Sequence, residues 1–126
     1  MSTTTKEIED KIIQHVKDKG LSGLNVLGGD PLQQTEDFTL ANFLYRFKQE
    51  TGKDIWIWTG YQFDSIMKTR SISRSILEKC DVCVDGRFVQ QLADAKLRYM
   101  GSSNQRVIDV QKSIQEKEIV LYEKSL

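Results

Sequence analysis

Gly23-Leu24-Asn25-Val26-Leu27-Gly28-Gly29-Asp30-Pro31-Leu32 is the stretch from which the rest of the chain is read. Leu24, Val26 and Leu27 form an apolar run too short for a helix and suited to a buried strand. The run stops at two glycines, a carboxylate and the only proline of the sequence. Glycine lacks a Cβ, so Gly28 and Gly29 leave main-chain N–H and C=O groups open to close approach. Pro31 restricts Asp30 to extended backbone, which aims its carboxylate outward. A strand end of this kind can hold a small molecule bearing an amine or hydroxyls. An ordinary strand-to-helix turn has the same composition.

Working outward, Leu40, Phe43, Leu44 and Phe47 recur at helical spacing and predict a helix over about 36–50, closed by Gly52. Ile55-Trp56-Ile57-Trp58 reads as a continuous apolar strand of the kind parallel sheets bury on both faces, ending in Thr59-Gly60-Tyr61. Phe63, Ile66 and Met67, then Ile72, Ile76 and Leu77, mark two helical segments. Val82 and Val84 mark a further strand, stopped by Asp85-Gly86-Arg87. A short extended piece is expected around 97–100, then a polar loop at 101–105, a helix near 106–116 and a last strand at about 119–122. On the N-terminal side, Thr4 and Glu7 have capping-box spacing ahead of the stripe Ile8, Ile12, Ile13 and Val16, and Gly20 ends that helix. Strands alternating with helices predict an α/β fold with parallel strands and right-handed crossovers. The glycine and polar turns fall at the C-terminal strand ends, where such folds hold ligands.

Composition narrows the function. With 18 basic and 18 acidic side chains the net charge is zero, which gives no electrostatic footprint for nucleic acid or an anionic membrane. No apolar run approaches the ~20 residues of a membrane span. The stretch Met1–Glu7 is polar and lacks a signal-peptide core, and two cysteines make no disulfide framework, so a cytoplasmic setting is expected. Cys80 and Cys83 have zinc or redox spacing, but inside a strand their thiols would point to opposite faces. With no second pair and one histidine, they read as structural. Asp85 and Arg87 read either as part of a site or as a solvent-exposed ion pair. The loop Gly101-Ser102-Ser103-Asn104-Gln105 can wrap a polar ligand or another protein's tail, or simply be solvated. No nucleophile elbow, phosphate loop or paired-histidine motif occurs.

Four stretches taken together carry a resemblance. They are Leu27-Gly28-Gly29-Asp30-Pro31-Leu32, Lys53-Asp54-Ile55-Trp56-Ile57-Trp58-Thr59-Gly60-Tyr61, Cys80-Asp81-Val82-Cys83-Val84-Asp85-Gly86-Arg87-Phe88, and Arg98-Tyr99-Met100-Gly101-Ser102-Ser103-Asn104-Gln105-Arg106-Val107. In this order and at these separations the chain, over about residues 7 to 112, resembles the activating proteins of anaerobic (class III) ribonucleoside-triphosphate reductase. These belong to the radical S-adenosylmethionine superfamily. The resemblance implies one radical S-adenosylmethionine-like domain over residues 1–126, with a partial (βα) barrel-like parallel sheet and flanking helices. It implies an activase that reduces S-adenosylmethionine with a 4Fe–4S cluster and creates the glycyl radical on the reductase large subunit. A flavodoxin-type electron donor is implied as well. Gly28, Gly29, Asp30 and Pro31 match the motif that binds the methionyl amino group. Thr59, Gly60, Asp85 and Arg87 match strand ends that hold the rest of the cofactor.

The sequence departs from the family at the Cys-x-x-x-Cys-x-x-Cys motif that provides the cluster thiolates. That motif follows the first strand of the family, ahead of the region matching Lys6–Val16. The expectation is therefore a domain truncated at its N-terminus, with its first strand absent and no cluster assembling on this chain alone. Ile119-Val120-Leu121, within the tail Ser113–Leu126, is a candidate replacement strand. The alternative reading is a non-catalytic remnant that binds S-adenosylmethionine or the reductase.

Overall fold

Four strands lie side by side in chain order in the computed structural model: β1 (Gly23–Val26), β2 (Asp54–Trp58), β3 (Val82–Asp85) and β4 (Arg106–Asp109). The structure describes residues 2–26, 38–68, 71–97 and 99–122, with side chains described from Lys6 onward. β1 runs parallel to β2 with Leu24 opposite Ile55, and β2 parallel to β3 with Ile57 opposite Cys83. β4 is antiparallel to β3, with Ile108 opposite Cys83. The result is an open, mostly parallel α/β sheet flanked by helices α1 (Ser2–Lys19), α2 (Thr39–Thr51), α3 (Phe63–Met67), α4 (Ile72–Glu78) and α5 (Val110–Glu116).

Alternation along β2 sorts the two faces. Ile55 and Ile57 are fully buried against the main core, where Val16 of α1, Leu44 and Phe47 of α2, Leu77 of α4 and Val110 of α5 meet them. The helical stripes read from the sequence are these core-facing positions. Trp56 and Trp58 point to the other face and pack with Val82, Val84, Val107, Tyr99, Met100 and Tyr122. Among the described residues no helix joins that second cluster. Among the described residues that face is covered by aromatic side chains, large enough to shield a sheet themselves.

Several expected boundaries shift. α1 begins at Ser2, so Thr4 lies within the helix and not at its cap. Gly20 (φ +60°) and Gly52 (φ +65°) stop α1 and α2 as expected, the latter donating its N–H to Lys48 O at 2.9 Å. Of the extended piece expected at 97–100, the described residues Leu97, Tyr99 and Met100 lie in no strand, and Tyr99 has φ 71°. The helix expected over 106–116 is β4 followed by α5. Asp109 caps α5 by accepting from Lys112 N at 3.1 Å, while β-branched Val107 and Ile108 pair with β3. The last strand is reduced to an isolated bridge between Leu121 and Ile108, flanked by Asp109 N–Val120 O (2.8 Å) and Tyr122 N–Val107 O (2.9 Å). That segment still covers the outer edge of β4.

The two cysteines correct a further expectation. Cys80 sits before β3, in the turn leaving α4, and its Sγ donates to Ile76 O at 3.3 Å. Only Cys83 is a strand residue, so alternation does not relate them and both are buried in the main core. Among the described residues no helix is long and apolar enough to cross a membrane.

Candidate functional site

The C-terminal ends of β2 and β3 are tied into one edge. Thr59 N donates to Val84 O at 3.0 Å, extending the parallel ladder past β2. Thr59 Oγ1 then accepts from Tyr61 N at 3.1 Å, which folds the chain over Gly60. Gly86 N donates to Tyr61 O at 3.1 Å, so the glycine turn after β3 lies against the one after β2. Gly86 has φ +97°, a region that L side chains rarely adopt, which is why a glycine follows Asp85.

Asp85 is the anchor of this edge. It is 1% exposed, and a buried carboxylate must be paired and hydrogen-bonded. Its Oδ1 accepts from Arg106 Nε at 3.0 Å; its Oδ2 accepts from Arg106 Nη2 at 2.6 Å and from Phe63 N at 2.7 Å. The parallel donors of one guanidinium form a bidentate, charge-assisted pair. Arg106 Nη2 also donates to Asp64 Oδ1 at 2.8 Å, which joins the start of α3 to β3 and β4. These bonds raise the Arg106 pKa, the Asp85 contact contributing most, and the Arg106 hydrogen bond holds the Asp64 carboxyl below its ordinary range.

Of the residues read as site candidates, Thr59, Gly60, Asp85 and Arg87 come together on this edge. Gly28, Gly29, Asp30 and Pro31 lie outside the described residues. Asp85 and Arg87 are not an exposed ion pair, because the partner of Asp85 is Arg106. What the edge offers a ligand is the exposed backbone of Gly60 and the exposed side chain of Arg87. Arg106 escaped the sequence reading because its pairing with Asp85 spans 21 residues and no local motif announces it.

The helix-free face was also missed, although Trp-x-Trp is a period-two signal for two indoles on one side. Trp56 and Trp58 stack with ring centroids 5.8 Å apart, and Tyr99 approaches Trp56 at 4.7 Å. Trp58 Nε1 donates to Tyr99 O at 2.9 Å, and a hollow of about 510 Å³ opens beside these rings, reaching Gly23 and Asp54.

An iron–sulfur cluster needs a set of thiolates. This chain has two cysteines, both fully buried in the core, and burial pushes the Cys80 thiol well above its usual range. Among the described residues no group of three or more His, Cys, Asp or Glu side chains is placed to hold a metal. The thiols present do not fit a cluster.

A family described as a 4Fe-4S single cluster domain matches residues 1–108. A Haemophilus influenzae protein is 43% identical over 101 residues, covering 78% of this chain and 63% of the relative. A Salmonella typhimurium protein is 41% identical over 106 residues, 82% of this chain and 67% of the relative. One from Enterobacteria phage T4 is 34% identical over 98 residues, 77% of this chain and 59% of the relative. All three carry the name anaerobic ribonucleoside-triphosphate reductase-activating protein. The match thus spans 63% of the length of the Haemophilus relative. No solved structure matches.

Proposed function

This chain belongs to the family of anaerobic ribonucleoside-triphosphate reductase-activating proteins, and from that premise we propose that its strand ends bind S-adenosylmethionine for glycyl-radical formation on the reductase. The observation that carries this reading is the joined edge of β2 and β3, where glycine turns expose backbone and Arg87 beside an internally paired Asp85. When reductively cleaved, S-adenosylmethionine supplies a 5′-deoxyadenosyl radical able to take a hydrogen atom from a glycine. Gly28, Gly29, Asp30 and Pro31 take the methionyl amino group, with carbonyls and a carboxylate accepting from the ammonium. Thr59 and Gly60 shape the rim against the rest of the cofactor. Asp85 acts through the backbone it fixes, because its own oxygens are occupied. Arg87 provides a cation for the anionic end of the ligand.

The cluster thiolates come from outside these 126 residues, and the reducing electron from a flavodoxin-type donor. The partner is the large subunit of the anaerobic reductase. Immobilised large subunit is expected to retain this chain under anaerobic conditions with S-adenosylmethionine present. Passage of the chain through such a column, with and without the cofactor, would overturn the partner assignment.

A further inference from the structure

The loop Gly101-Ser102-Ser103-Asn104-Gln105 grips the turn after β3. Gln105 Nε2 donates to Gly86 O at 2.9 Å, and Asn104 Nδ2 donates to Arg87 O at 2.8 Å. Two successive carbonyls, the second being that of Arg87 itself, are therefore held by side-chain amides. Both amides are oriented from behind. Gln105 Oε1 accepts from Gly101 N (2.8 Å) and Ser102 N (3.2 Å), and Asn104 Oδ1 accepts from the Ser102 hydroxyl at 2.6 Å. Ser102 is fully buried, and its Oγ accepts from Val89 N at 3.2 Å, which closes the circuit onto the chain just beyond Arg87. The approach is close: a Cβ added at Gly101 would stand 2.9 Å from the Phe88 ring. A loop that were merely solvated would not direct both carboxamides at the backbone of one turn.

Arg87, whose own carbonyl is the second of the two held, is exposed. Among the described residues no carboxylate pairs with the Arg87 guanidinium. An arginine on a fixed backbone loses less freedom on binding than one on a mobile loop, and its planar fork suits a carboxylate. We infer that Asn104 and Gln105 are positioning residues that hold the Arg87 backbone so that its guanidinium receives the carboxylate of the bound ligand. This deepens the cofactor reading above and rests on it, since the carboxylate is the one anionic group of S-adenosylmethionine.

The test compares two ligands on the full chain by calorimetric titration: S-adenosylmethionine, and 5′-methylthioadenosine, which keeps the nucleoside and lacks the carboxylate. Arg87→Gln is expected to weaken S-adenosylmethionine about tenfold or more and to leave 5′-methylthioadenosine within about twofold. Gln105→Glu and Asn104→Asp keep the shape but remove the amide donor, and are expected to show the same ligand-selective loss at about fivefold. Combined with Arg87→Gln, either adds less than its single effect, because both act on one contact. A general structural role would weaken both ligands together, and that result, or no change in either, would overturn the positioning role alone. If Gln105→Glu unfolds, Asn104→Asp carries the comparison through the neighbouring carbonyl. A wild-type chain that binds neither ligand overturns the cofactor reading, and this inference falls with it.

Discussion

Arg106→Ala is expected to lower folding stability by about 2–4 kcal/mol. Asp85 is 1% exposed and receives two of its three donors from that guanidinium. Deleting one partner of a buried pair leaves an uncompensated charge and costs ~3–5 kcal/mol. The Arg106 side chain is 33% exposed, so water reaches part of the gap and the lower range applies. Arg106→Lys recovers only part of the loss, because an ammonium cannot present two parallel donors to one carboxylate. Asp64 adds an acid-side signature. Its carboxyl is held below its ordinary 3.8 by the Arg106 hydrogen bond. That contribution is complete above the ordinary value, is lost as pH falls through the lower folded one, and is missing from Arg106→Ala. Urea titrations at neutral and acid pH measure both effects. An Arg106→Ala chain within about 0.5 kcal/mol of wild type would contradict the buried pair.

Gly23→Ala is expected to cost about 3 kcal/mol, at the upper end of the overpacking range. The added Cβ would stand 2.3 Å from Asp54 O and 3.1 Å from Asp54 C. Both atoms belong to the backbone directly opposite in the β1–β2 register, so no flexible side chain can give way. β1 must move off β2, and β1 is the strand that leads into Gly28-Gly29-Asp30-Pro31. Ligand binding is therefore expected to weaken together with stability, unlike the ligand-selective loss at Arg87. A Gly23→Ala chain with wild-type stability would mean that the β1–β2 register is not the one described.

Much of this architecture was legible because periodicity carries it. The stripes Ile13–Val16 and Leu40–Phe47, and the strand Ile55–Trp58, formed where their spacing placed them. The misreadings have local physical causes. Val107 and Ile108 lie between polar residues, β4 runs straight into helical residues, and only the capping aspartate at 109 marks the border. The interruption near Tyr99 reflects a positive φ at a non-glycine residue, which composition does not signal. The turns after β2 and β3 were legible from their glycines, whereas the Asp85–Arg106 pair and the amide clamp on Gly86 and Arg87 were not. Those contacts depend on β4 folding back antiparallel to β3 and bringing residues 101–106 against the turn.

We propose that the joined ends of β2 and β3, with the segment after β1, bind S-adenosylmethionine on this chain even when it is metal-free. Calorimetric titration of the metal-free wild-type chain with S-adenosylmethionine is the decisive measurement. Saturable binding of one molecule per chain is the expected result, and an absence of heat at millimolar cofactor would contradict it.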